Sequence, residues 1–229
     1  MTIKHPVLYA ASVAPLADDD LYTAAYRAVS PARQEKTDRF RFEQDKRLSL
    51  GAELLLRHAL CSAGLDEVPM TFAYGAQGKP QFKDGDVFFN FSHSGEYVVC
   101  ALAPYEVGCD VEKITPINLN IARRFFFRNE YADIAAQETI KARNELFFRY
   151  WTLKESFMKV TGLGMKLPLD AFEIVCAPEI TVHQMVDARQ YSFAEFDELV
   201  GYKCALCAAG DCRSAVLHEV DFVEILSSR

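Results

Sequence analysis

Long apolar runs and net positive charge are missing from these 229 residues, and no leader segment is expected. No window approaches the roughly 20 apolar residues needed to cross a bilayer, because acids, bases or prolines interrupt every candidate run. The opening MTIKHPVLYAASVAPLADDD has a short apolar stretch but no basic region, long apolar segment and small-residue cleavage site in succession. No secretory signal is visible, and a cytoplasmic protein is expected. The formal charge of −7 gives a whole-molecule field that disfavours nucleic acid and anionic membranes as partners. Any anionic ligand must therefore be met by a local cluster of bases.

A metal-binding cysteine pattern is missing as well. The seven cysteines, at 61, 100, 109, 176, 204, 207 and 212, sit mostly in apolar strand-like pieces such as YVVCALA. Cys204 and Cys207 form a lone C-x-x-C, but strand residues three apart point to opposite faces, and no second pair completes a zinc site. Buried thiols are the expectation.

What the chain does have is 50% hydrophobic and 25% charged residues, the composition of a folded globular protein. Its length fits one compact body or two fused halves. Residues 17–29 and 31–63 read as helices. Ser30 and Pro31 open the second as cap and first-turn residue; Leu48, Ala52, Leu55, Leu56 and Ala59 follow at helical spacing, and Gly64 is its stop. MTFAYG, GDVFFNFSHS, EYVVCALAPY and EVGCDVEKI read as strands in consecutive hairpins. Helix returns over 118–140 and in RNELFFRYWTLKESFMKVTG, ended by Gly162 and Gly164. AFEIVCA, ITVHQMV, QYSFAEFDE, YKCALCAAG and HEVDFVEIL read as strands again. YVVCAL near residue 100 is faintly echoed by YKCAL near residue 204. Short apolar strands draw on few residue types, yet the echo also fits two similar α+β halves side by side.

Chemistry concentrates in GCDVEKI, residues 108–114. Side chains two apart on a strand share a face, so Asp110 and Glu112 point one way while Cys109 and Val111 face the core. Two partly buried carboxylates roughly 7 Å apart raise each other's pKa unless a cation sits between them. A half-exposed strand with solvated acids is the plain alternative. On the following long helix, Phe147, Trp151 and Met158 form one stripe, and Glu155 lies in the middle of it. A carboxylate aimed at a core needs a partner, here Lys154, Lys159 or a metal. Three oxygen ligands suit Mg²⁺, and Mn²⁺ equally, in the service of a phosphorylated substrate. Lys79 in GAQGKP, and Ser92 and His93 in NFSHSG, are able to donate to phosphate. Two basic clusters, one from Arg33 and Lys36 to Arg47 and one of Arg123, Arg124 and Arg128 around FFF, fit either anion contact or a solvated helix face.

YGAQGKP, FNFSHSGEYVV, VGCDVEKI, ARRFFFRNEY and YWTLKESFMKVTGLG, in this order and spacing, resemble the 4′-phosphopantetheinyl transferases of the surfactin-synthetase-activating type. The resemblance runs from about Ser30 to Leu169; beyond it only the strand pattern matches. It implies an α+β monomer, a pseudo-dimer of two similar halves with the active site in the cleft between them. Residues 1–105 would form the first half, with the nucleotide-phosphate contacts, and 106–229 the second, with the metal site and catalytic helix. The implied reaction moves the phosphopantetheine arm of coenzyme A onto a serine of an acyl or peptidyl carrier protein and releases adenosine 3′,5′-bisphosphate. Asp110, Glu112 and Glu155 would hold Mg²⁺, and Lys159 would stabilise the leaving side. Arg33, Lys36, Arg47, Lys79, Ser92 and His93 would contact the phosphates. Glu155 is the candidate base and Glu130 the second choice. Arg123, Arg124, Phe125, Phe126 and Arg128 are candidates to dock an acidic carrier. The rival reading is a module that binds coenzyme A or a carrier without transfer.

Overall fold

A computed structural model of the chain describes residues 3–83 and 86–227. Strand β1 (Val7–Ser12) opens the chain, followed by helices α1 (Asp19–Ala28), α2 (Pro31–Asp38) and α3 (Glu43–Ser62). A small hairpin, β2 (Phe72–Tyr74) and β3 (Pro80–Phe82), leads to strands β4 (Phe88–Ser94), β5 (Tyr97–Ala103) and β6 (Val107–Lys113). Three helices come next, α4 (Leu119–Phe125), α5 (Arg128–Ala135) and α6 (Ile140–Thr161). The chain then runs through β7 (Glu173–Val175), β8 (Thr181–His183), β9 (Ser192–Phe196), β10 (Tyr202–Ala208) and β11 (Val216–Glu219), ending in α7 (Phe222–Ser227). None of the described helices is long and apolar enough to cross a membrane.

Two sheets carry the architecture, ordered β11-β1-β5-β4 and β6-β10-β9. Side-chain alternation along the two central strands explains how they stack. On β5, Val98, Cys100 and Leu102 pack with Leu50, Leu54 and Leu55 of α3, while Val99, Ala101 and Ala103 face the other way. On β10, Ala205 and Cys207 pack beneath Leu153 and Phe157 of α6, while Cys204, Leu206 and Ala208 meet the back of the first sheet. The order is helix, sheet, sheet, helix, with a shared apolar layer between the sheets. The echoed segments YVVCAL and YKCAL thus each lie on an inner strand of one of the two sheets. Cys204 and Cys207 lie on opposite faces, both fully or nearly fully buried.

Several expected elements differ. The helix over 31–63 is two helices, broken at Arg39–Phe42, where the apolar spacing lapses into RFRF. Thr37 and Ser49 join the pieces through a buried hydroxyl pair 2.8 Å apart. The helix over 118–140 is likewise α4 and α5, with Phe127 extended between them. The expected run of consecutive hairpins is instead two separate ones: β2 pairs with β3 and β4 with β5, while β6 pairs with β10 rather than with its neighbour in sequence. HEVDFVEIL is a short strand followed by a helix, and this C-terminal piece returns to the first half. There β11 runs parallel to β1, and Phe222 and Ile225 of α7 enter the core under α3. The division at residue 105 therefore follows the sheets only as far as β10.

Candidate active site

Asp110 and Glu112 owe their position to a glycine. A Cβ on Gly108 would lie 2.5 Å from the Val160 nitrogen and run into the Ser156 carbonyl oxygen, so only glycine lets β6 lie directly on the backbone of α6. That contact brings residues 155–159 of the helix against the acid pair. Asp110 is 3% exposed, Cys109 and Val111 are fully buried on the opposite face, and Glu112 is half-buried, as strand alternation requires.

The acids are held from the side by β4. Strands β4 and β6 are edges of different sheets and share no backbone ladder. Alternate side chains of β4 bridge them instead. Asn90 accepts from the Cys109 amide at 2.9 Å, Ser92 donates to Asp110 Oδ1 at 2.7 Å, and Ser94 donates to Glu112 Oε2 at 2.6 Å. Ser92 Oγ also accepts from Lys159 Nζ at 2.9 Å. A hydroxyl has one proton, and that of Ser92 goes to Asp110, which leaves none for a phosphate.

Lys159 reaches across from α6 to Asp110 Oδ1 at 2.7 Å and to the Cys109 carbonyl at 3.1 Å. With Ser92 this engages all three of its protons. Burial opposes the charge on Lys159, but Asp110 beside it outweighs that and raises its pKa. Lys159 thus pairs with Asp110 rather than with Glu155 one turn back along its own helix. Glu155 meets no donor among the described residues; burial and then the negative charge of Asp110 push its pKa up. Burial raises Glu112 as well, against its Ser94 hydrogen bond, with Asp110 adding to the rise. The conflict expected between the acids is present.

All three acids and Lys159 line one cleft of about 580 Å³ between the halves. Arg33, Lys36, Ser92 and His93 line it too. Arg33 reaches Glu53 at 3.4 Å, and Glu53 is in turn held by Ser30 and Arg57. Burial and then the positive charge of Arg33 lower the pKa of Lys36. His93 is lowered by desolvation and then by Lys159, which keeps its ring neutral. Phe40, Asp45, Leu48, Phe72, Tyr74, Phe91 and Trp151 complete the wall. Most of these read as core or surface in the sequence, because only the fold turns them toward a common space.

Four expected residues stand elsewhere. Lys79 spends its ammonium on Glu106 at 3.1 Å and the Val107 carbonyl at 3.0 Å, tying the β2–β3 hairpin to the start of β6. Arg47 is not among the cleft-lining side chains, and its buried Nε has no hydrogen-bond partner among the described residues. Glu130 is 1% exposed, accepts from the Phe127 and Ile174 amides, and lies 2.7 Å from Lys154 Nζ. It holds the fold beneath α6 rather than facing the cleft. Of the presumed docking patch, Arg123, Arg124, Phe125 and Arg128 are exposed, while Phe126 is buried and stacks on Phe147 at 5.1 Å.

Whether these residues fit a divalent cation is decided by Asp110. Its Oδ2 is buried with no hydrogen-bond partner among the described residues, which is costly for an ionised oxygen. Glu112 and Glu155 face the same cleft, so the available donors are all hard oxygens. Among the described residues no three acidic, histidine or cysteine side chains converge into a ready ligand set. The expected three-acid set of Asp110, Glu112 and Glu155 is thus not assembled among them.

Comparison with known proteins agrees with the geometry. Residues 15–105 match the family model for the N-terminal region of 4′-phosphopantetheinyl transferases, and residues 106–207 match the 4′-phosphopantetheinyl transferase superfamily. The 4′-phosphopantetheinyl transferase Sfp of Bacillus subtilis is 36% identical over 79% of this chain and 82% of its own. The 4′-phosphopantetheinyl transferase gsp of Aneurinibacillus migulanus is 35% identical over 79% of this chain and 76% of its own. A mouse L-aminoadipate-semialdehyde dehydrogenase-phosphopantetheinyl transferase is 28% identical over 67% of this chain and 55% of its own. Matched in both halves, with the cleft of acids and bases between them, the chain belongs to the 4′-phosphopantetheinyl transferase superfamily.

Proposed function

We propose that the cleft moves the phosphopantetheine arm of coenzyme A onto a serine hydroxyl of an acyl or peptidyl carrier protein. One observation carries this reading: a carboxylate pair with an orphaned oxygen faces a basic wall across a single cleft. Arg33, Lys36 and His93 bind the phosphates of the nucleotide. Asp110 and Glu112 hold Mg²⁺, which neutralises charge on the diphosphate when bound. Lys159, locked to Asp110, adds a fixed positive charge beside the leaving group.

Glu155 is the base. Asp110 and Glu112 are committed to hydrogen bonds, whereas Glu155 has none among the described residues and its pKa is raised above the ordinary glutamate value, so its carboxylate is the candidate to accept the serine proton. The serine oxygen bonds to the phosphorus bearing pantetheine, the diphosphate bridge breaks, and adenosine 3′,5′-bisphosphate leaves. The test is intact-mass measurement of apo carrier domains incubated with the protein, coenzyme A and Mg²⁺. The carrier gains one phosphopantetheine, and Glu155→Gln slows the gain by about 10²–10⁴-fold. A panel of acyl and peptidyl carriers that all keep their apo mass would overturn the reading.

A further inference from the structure

Glu112 is held more firmly than a metal ligand on an open strand would be by its own rotamers. Ser94 Oγ donates to its Oε2 at 2.6 Å and accepts from the Lys113 amide at 3.1 Å, so both capacities of that hydroxyl are used at the acid pair. Free glutamate side chains carry large rotamer entropy, and a fixed donor removes part of that freedom before any ligand arrives. Asp110 has its own holders in Ser92 and Lys159, so among the acids Ser94 serves Glu112.

We propose that Ser94 is a positioning residue for Glu112, holding its carboxylate in the orientation in which it and Asp110 face the same cation. This rests on the reading of the acid pair as cation ligands. Loss of a hydrogen bond to a ligating carboxylate typically weakens metal binding about 10–100-fold. Ser94→Thr keeps the hydroxyl, and Ser94→Ala removes it.

The experiment is Mn²⁺ binding followed by electron paramagnetic resonance on the full chain with coenzyme A and no carrier, with melting temperature measured alongside. Ser94→Ala is expected to bind Mn²⁺ about 10–100-fold more weakly at unchanged melting temperature, and Ser94→Thr to restore binding. In the transfer assay Ser94→Ala should need more Mg²⁺ for half-maximal rate and recover most of kcat when it is saturating. Wild-type Mn²⁺ affinity in Ser94→Ala would overturn the proposal and leave the proposed transfer reaction untouched. A wild-type protein that binds no Mn²⁺ would remove the acids as ligands, and the positioning role with them. Weakened binding that appears only together with a lowered melting temperature also counts against it.

Discussion

Glu155 lies on α6 and Glu130 is packed against it, and what separates the two acids is the number of donors each meets. Glu130 has two backbone amides and the Lys154 ammonium, itself bonded to the Leu169 and Phe172 carbonyls at 2.8 Å. Removing one partner of such a pair strands the other charge in the core, so Glu130→Ala should lose about 3–5 kcal/mol in urea denaturation. An unchanged denaturation midpoint would refute this. Glu155 meets no donor among the described residues, and the sign of its pH effect follows from its raised pKa. The folded state holds a proton there that the unfolded chain has released, so this contribution is full below the ordinary glutamate range and is lost as pH rises through the folded value. Glu155→Gln, which cannot ionise, should therefore gain stability relative to the wild type as pH rises, in thermal melts without divalent cation. A difference that stays flat with pH would show that Glu155 is not strained. In the transfer assay the same residue, acting as base, makes activity fall as pH drops through its pKa.

At the scale of the element, the contact of β6 with α6 fixes everything else in the site. Gly108→Ala has to push apart backbone of strand and helix, so a lower melting temperature and a loss of transfer should appear together. Full transfer at wild-type stability would mean that the contact is softer than its geometry. Much of this was legible beforehand. Strand alternation placed Asp110, Glu112 and Cys109 correctly, and the long apolar helix with Glu155 at its stripe was plain. Period alone could not show that β6 leaves its neighbour for β10, because pairing is a choice among strands of similar composition. It also could not distinguish a continuous helix from α2 and α3, since Arg39–Phe42 break the apolar spacing without supplying glycine or proline. Lys79, Glu130 and Ser92 each have the chemistry of a site residue, and only the fold shows which partners inside the protein hold their protons or oxygens.

At the scale of the whole molecule, the two halves share an apolar layer between their sheets, and the last strand and helix cross back to the first half. Truncation before residue 216 removes β11 from β1 and exposes the pocket of Phe222 and Ile225. At about 1.5–3 kcal/mol for each buried side chain, the loss is about 3–6 kcal/mol, measurable by urea denaturation. A truncated chain of wild-type stability would show that the returning piece is ornamental. Net charge of −7 and a basic cleft wall coexist because the cations are local, so salt should weaken coenzyme A binding despite the acidic whole.

The bridge of Asn90, Ser92 and Ser94 has a second consequence, for solubility. Strands β4 and β6 are each the open edge of a sheet, with backbone groups able to recruit a strand from another chain. Turned toward each other and bridged by side chains, neither edge is offered to a stranger. Variants that cut the bridge should therefore be watched for self-association as well as for lost chemistry.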